Sequence, residues 1–255
     1  MKSFILTMSQ FRYVNKAFWR NPASAFFTFV FPLMFLAIFT ALLGNGDIVL
    51  GGRTIALSTY YVAGMTAFAV ITACYNNIAI GLTFQRDLGV LKRTNGTPLP
   101  ATVFLTARVL HALLVSVLLV AITVSFGSLV YDAQPPRGLD LARLLAVLAV
   151  GAVSFCALGF AITAVIPNGD AAAPIVNATI LPLLFLSGIF IPIGDGAPAW
   201  LTWAARIFPV KHFSDGIQAG FIGTAFYWND VLIVAAWGLA GLLLAVRFFS
   251  WEPRT

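Results

Sequence analysis

The chain reads as an all-α integral membrane protein with six transmembrane helices, and three observations predict this class. Of its 255 residues, 60% are hydrophobic and only 9% charged, against roughly 25% charged in an ordinary soluble domain. Mean hydropathy is +0.93. Several apolar runs reach the ~20 residues that cross a hydrocarbon core of about 30 Å. The runs are continuous rather than alternating with period two, which disfavours a β-barrel. One membrane domain is expected over residues 1–255.

Residues 1–21 open the chain as an interfacial amphipathic helix. At 100° per residue Phe4, Ile5, Met8, Phe11, Val14, Phe18 and Trp19 share one half, with Lys2, Lys16 and Arg20 opposite. Asn15 falls on the apolar face and weakens the pattern. No cleavable signal peptide is expected, because the long apolar run starts only after Pro22. Asn21 as N-cap and Pro22 at the first helical position start a span over 23–43. Further spans are expected over 58–83, 102–130, 141–166, 171–191 and 230–250.

Charge sets the orientation. With the N-terminus inside, the inner segments carry ten cations (Lys2, Arg12, Lys16, Arg20, Arg86, Lys92, Arg93, Arg108, Arg247, Arg254) and the outer ones five. Both termini are therefore expected in the cytoplasm. The net charge of +6 is scattered among the apolar runs and carries no expectation of nucleic-acid binding.

The connections differ in kind. Spans four and five are joined by the tight turn Pro167-Asn168-Gly169-Asp170. Spans five and six are separated by a stretch too apolar for a solvated loop and too interrupted for a span, with Trp200 and Trp203 suited to a headgroup boundary. Over 192–222 two short re-entrant helices dipping in from outside are expected, a fold tolerated where it is buried in protein or lines a cavity. A loop lying on lipid is the alternative.

No chemistry of the enzymatic kind is visible. Neither His111 nor His212 has a Cys or carboxylate at ligand spacing, so no metal is expected. There is no phosphate loop and no nucleophile–His–acid set. Cys74 and Cys156 lie inside spans and read as small hydrophobes. The span interiors offer mostly neutral polar groups instead: Thr66, Thr72, Tyr75, Asn76 and Asn77 in the second, Asn177, Thr179 and Ser187 in the fifth. They either join helices or line a substrate pathway.

Between spans two and three lies the densest charge in the chain, Gln85-Arg86-Asp87-Leu88-Gly89-Val90-Leu91-Lys92-Arg93. Phe84, Leu88 and Leu91 follow i, i+4, i+7 and form one apolar face, while Arg86 and Arg93 share another. Asn95-Gly96 and then Pro98 and Pro100 end the helix. The segment is expected as a short cytoplasmic helix within 84–97, either an anchor on the lipid surface or a contact for a soluble partner.

At these residues the chain resembles the permeases of ABC type-2 exporters. Arg86 to Arg93, followed by Thr97-Pro98-Leu99-Pro100, is similar to that family's first cytoplasmic loop and its coupling helix. Leu186-Ser187-Gly188-Ile189-Phe190-Ile191-Pro192, with the later Phe208-Pro209-Val210-Lys211-His212, is similar to its fifth span and exterior helices. Gln85 and Lys92 depart from the pattern by standing where acids are frequent.

The resemblance implies a non-enzymatic permease subunit in a bacterial inner membrane, surrounded by lipid. It would pair with a second permease chain, as homodimer or heterodimer, and with a cytoplasmic ATP-binding subunit. The chain itself would bind no cofactor, ATP and Mg being held by that partner. Phe84, Gln85, Arg86, Asp87, Leu88, Leu91, Lys92 and Arg93 would form the ATPase-coupling contact. Thr72, Asn76, Asn77, Asn177 and Thr179 would line the substrate pathway. Drugs, antibiotics or other amphipathic compounds are the implied cargo, with a lipid or polysaccharide exporter as alternative. The rival of another class is an ATP-independent secondary carrier or channel, which would need an ion pathway or repeated halves.

Overall fold

The computed structural model describes residues 2–44, 46–50, 52–192 and 198–252. Arg254, residues 193–197 of the expected 192–222 segment, and the side chain of Lys2 lie outside the described residues. The class is the expected one, an all-α membrane protein, and among the described residues six helical segments are long and apolar enough to cross a bilayer.

Helix α1 (Lys2–Trp19) comes first. In α2 (Pro22–Leu43) the Asn21 side chain accepts from the Ser24 N–H at 3.2 Å, the expected N-cap. A feature the sequence reading passed over follows, an antiparallel hairpin of β1 (Asp47–Leu50) and β2 (Arg53–Ala56).

The second span runs unbroken from Leu57 to Asp87. It comprises α3 (Leu57–Ile71), a π-helical turn over Thr72–Asn76 and α4 (Asn77–Asp87). A short α5 (Val90–Asn95) leads to α6 (Ala101–Tyr131), α7 (Gly138–Ile162) and α8 (Gly169–Leu186). Two further helices, α9 (Ala199–Ile207) and α10 (Pro209–Ile222), precede α11 (Trp228–Phe248).

The second span is the centre of the bundle. Its most apolar stretch is 67% buried, against 22–28% for α2, α6, α8 and α11. Every residue of α3 is buried, with α2, α6, α7 and α10 packed round it. A helix enclosed on all sides needs no polar face, which is why α3 shows little amphipathic periodicity. The outer helices expose large apolar side chains such as Phe27, Val117, Phe185 and Leu243, the surface a hydrocarbon solvent accepts and water does not.

Contacts define two ends. At one, which we call the α5 end, Phe18 of α1 packs edge-on to His111 of α6 at 5.1 Å, and Phe104 of α6 meets Trp251 beyond α11 at 5.6 Å. At the other, the hairpin end, Arg53 donates to the Ile222 carbonyl at 3.3 Å and Ser58 to that of Tyr131 at 3.1 Å. Helix α1 and the segment after α11 therefore share one end.

Candidate functional site

The segment expected as one amphipathic helix over 84–97 is two helices. Helix α4 closes at Asp87, Gly89 adopts φ +67°, and α5 begins at Val90. A left-handed residue is the ordinary way to end a helix, and glycine takes it without steric cost. The break re-aims the side chains. Leu91 turns inward and is fully buried, whereas Leu88 is 69% and Phe84 44% exposed. The expected continuous face of Phe84, Leu88 and Leu91 is thus corrected, since it assumed an uninterrupted helical period.

Arg86 is the larger correction. It was expected among the polar contacts to a partner, and it is only 2% exposed. Its Nη1 donates to the Thr163 carbonyl at 2.9 Å, and Nη2 to those of Ile166 at 2.5 Å and Pro167 at 3.3 Å. These carbonyls lie just past the end of α7, where a helix leaves acceptors unsatisfied and its dipole is negative. A planar guanidinium with several donors suits such a cluster.

Asp87 faces the opposite pole. Its carboxylate accepts from the Gly169 N–H, the first residue of α8, and Asn168 caps the same helix by accepting from Ala171 N–H at 2.9 Å. Cation on carbonyls and anion on N–H match both helix dipoles. Gln85 also holds an internal partner, accepting from Arg108 of α6. Leu88, Lys92 and Arg93 remain exposed, with Phe84 half against the start of α8. Arg93 folds back on the Leu88 carbonyl at 3.2 Å, and Lys92 stands 3.5 Å from Glu252.

The expected pathway residues gather at the π turn, with one exception. Thr72, Asn76 and Asn77 are half-buried on that turn and its exit. A π turn inserts one residue into the α-helical count and recurs at functional positions. The oxygen of the Asn76 side chain is buried and has no hydrogen-bond partner among the described residues. Thr179 of α8 donates to the Val176 carbonyl at 2.8 Å, so the Tyr75 hydroxyl, 2.9 Å away, donates to Thr179. Asn177 is exposed on α8 and does not join them.

Just past α8 the chain enters the core without helical structure. Ser187, Ile189 and Phe190 are buried, and Phe190 lies among Phe35, Phe68 and Phe185 at 5.0–5.8 Å. Irregular backbone at this depth needs its carbonyls met by protein. Tyr60 of α3 donates its hydroxyl to the Gly188 carbonyl, and Gln218 of α10 reaches the same atom at 3.3 Å. Gly64 leaves room for the strand of chain: a Cβ there would stand 2.2 Å from the Ile189 carbonyl oxygen.

Helix α8 is therefore tied to the second span at three levels: Asp87 at its start, Tyr75 in its middle and Tyr60 beyond its end. Sequence reasoning named Asp87 and Tyr75 but missed Tyr60, Gln218 and the internal role of Arg86. The two helices expected between spans five and six are present as α9 and α10. There a groove of about 630 Å³ is lined by Arg206, His212, Asp215, Gln218, Tyr227 and Asp230. His212 sits 2.6 Å from Asp230, and Lys211 donates to Asp215 at 2.5 Å, so its carboxylates are already paired. Among the described residues no three His, Cys, Asp or Glu side chains could hold a metal ion.

The arrangement is that of a membrane bundle whose second span is bonded to α8 and to the turn that precedes it. The description of the ABC-2 type transporter family matches residues 4–222. YvfS of Bacillus subtilis (strain 168), named a transport permease, is 25% identical over 227 residues, 89% of each chain. The protein ycf38 of Porphyra purpurea, also named a transport permease, is 24% identical over 224 residues, covering 86% of this chain and 75% of its own. Nodulation protein J of Rhizobium leguminosarum bv. trifolii is 27% identical over 189 residues, 71% of this chain and 69% of its own. With most of its length matched, and with six membrane-crossing helices arranged as described, the chain belongs to the ABC-2 type transporter family.

Proposed function

We propose that this chain is the membrane-spanning permease of an ATP-driven exporter, with ATP and Mg held by a separate ATP-binding subunit that docks at the α5 end in the cytoplasm. One observation carries the reading. The exposed side chains of Phe84, Leu88 and Lys92 stand on a segment whose neighbouring residues Gln85, Arg86 and Asp87 are bonded to α6, to the end of α7 and to the start of α8. A load applied there reaches four spans. A merely lipid-lying anchor has no need of such bracing.

The pathway is assigned to the π turn, with Thr72, Asn76 and Asn77, and to the exposed Asn177 of α8; Thr179 serves as a joint between helices. A second permease chain, identical or not, covers the unpartnered face of α8. Helix α1 lies in the interface of a bacterial inner membrane, and α9 and α10 form the exterior cap. The cargo is an amphipathic drug or antibiotic. Similarity to a protein named for nodulation keeps lipid or polysaccharide cargo as the second reading.

The test is co-purification with a candidate ATP-binding subunit co-expressed with this chain. Leu88→Asp with Lys92→Glu is expected to abolish its capture while leaving the permease monodisperse. Undiminished capture overturns the docking site. Transport by the purified permease alone, without ATP, overturns the whole reading in favour of a secondary carrier.

A further inference from the structure

We infer that Asp87 and Arg86 are positioning residues that make α8 move with the second span, so that a displacement of α5 reaches the far end of α8. The inference rests on the docking reading above and adds the route by which the joint acts. A coupling claim needs an element whose position both sites bias. The three ties describe one: a helix fastened to Leu57–Asp87 at its start, middle and end.

The ties are unequal. At the middle a hydroxyl meets a hydroxyl at 2.9 Å, and at the far end a phenol meets a carbonyl shared with Gln218. At the start the side chains are a carboxylate and a guanidinium. The Asp87 carboxylate accepts from the Gly169 N–H, Arg86 holds three carbonyls of the preceding turn, and Arg86 Nε stands 3.9 Å from Asp87 Oδ1. Charge-assisted hydrogen bonds are roughly twice as strong as neutral ones. The start of α8 is thus where its motion is set, and the two neutral ties keep the rest of the helix in register.

The same turn supplies its own control. Asn168 caps α8 from within the turn, through the Ala171 N–H at 2.9 Å, and among the described residues its side chain makes no hydrogen bond to α4. Removing Asn168 weakens the helix start; removing Asp87 weakens it and also cuts the tie to α4. A structural role predicts equal effects. A transmitting role separates them.

The experiment uses the permease reconstituted with its ATP-binding subunit in nanodiscs, with buried Cys74 and Cys156 replaced by alanine. Spin labels are placed on the exposed positions Leu181, in the last two turns of α8, and Leu232 of α11, and their separation is read with and without a non-hydrolysable ATP analogue. Coupling free energies between sites typically change populations 5- to 150-fold, so Asp87→Ala should reduce the shifted population about tenfold. Asn168→Ala should leave it within about twofold, and Asp87→Asn, which keeps an acceptor, should restore most of it. Binding of the ATP-binding subunit should be unchanged in all three. Equal shifts in Asp87→Ala and the parent overturn the inference, as does an equal loss in Asn168→Ala. Failure of the parent to bind the ATP-binding subunit overturns the docking reading instead.

Discussion

The two ends of α8 solve one problem by different chemistry. At its start, where α7 gives way to α8, backbone polarity is met by ions: Arg86 on three carbonyls, Asp87 on an N–H. Past its end, where the chain breaks at Gly188, it is met by a phenol, an amide and a close glycine contact. The difference follows from geometry. A helix–turn–helix corner gathers a negative pole and a positive pole within one turn of chain, so opposite charges on adjacent residues fit it. At the end of α8 the carbonyls are met by neutral donors, Ser187 on that of Leu184 and Tyr60 with Gln218 on that of Gly188.

If that contrast is right, the start of α8 tolerates change least. Arg86→Gln leaves buried carbonyls with fewer donors than they need, and each unsatisfied buried group costs about 1–3 kcal/mol. A loss of about 3 kcal/mol or more is expected, read as a large fall in thermal midpoint of the detergent-solubilised protein. A fall no greater than that of the far-end variants would erase the distinction.

At the far end, packing should matter more than hydrogen bonding. Gly64→Ala drives a methyl to 2.2 Å from the Ile189 carbonyl oxygen, inside any van der Waals distance. The obstacle is backbone and cannot swing aside, so a cost of about 1–3 kcal/mol is expected. Tyr60→Phe removes one donor from Gly188 but leaves Gln218 at 3.3 Å, so about 1 kcal/mol is expected. Should Tyr60→Phe prove costlier than Gly64→Ala, the far end is held by its hydrogen bond after all. Both variants are read by the same thermal midpoint.

How much of this was legible depends on the range of the interaction. The six spans and the Asn21–Pro22 cap are local, and length with capping chemistry placed the spans within a few residues, save that α8 stops at Leu186 where the span was drawn to 191. The hairpin was legible and passed over: Ile48-Val49 and Thr54-Ile55 flank Gly51-Gly52, a recognised turn signal. Arg86 was misplaced for a physical reason. A helical wheel pairs it with Arg93 only if the helix is continuous, and Gly89 breaks it. That glycine was in view, but nothing local says an arginine will satisfy a turn 77 to 81 residues away. The π turn leaves no compositional mark, since one inserted residue changes neither polarity nor length. Tyr60 and Gly188 meet only because the whole bundle closes, which no window of sequence contains.

The smallest effect lies at the hairpin end in α10, where Lys211 pairs with the Asp215 carboxylate one turn on instead of with backbone. Burial raises the Asp215 carboxyl above the ordinary carboxylate value, and the opposing pull of Lys211 at 2.5 Å does not cancel it. A carboxyl raised on folding binds its proton more tightly in the folded state. Its ionised form therefore burdens the fold at neutral pH, and the burden is lifted as pH falls through the raised value toward the unfolded one, near 3.9. Asp215→Asn should accordingly raise the thermal midpoint slightly at pH 7–8, and the gain should shrink on acidification. Arg86 should show the reverse character, a loss on substitution that persists across this range because a guanidinium stays charged throughout. A pH-independent gain for Asp215→Asn would mean that the carboxylate is not penalised by burial. A loss would mean that its bond to Lys211 outweighs that burial, and that charge at the hairpin end holds the fold as firmly as it does beside the turn between α7 and α8.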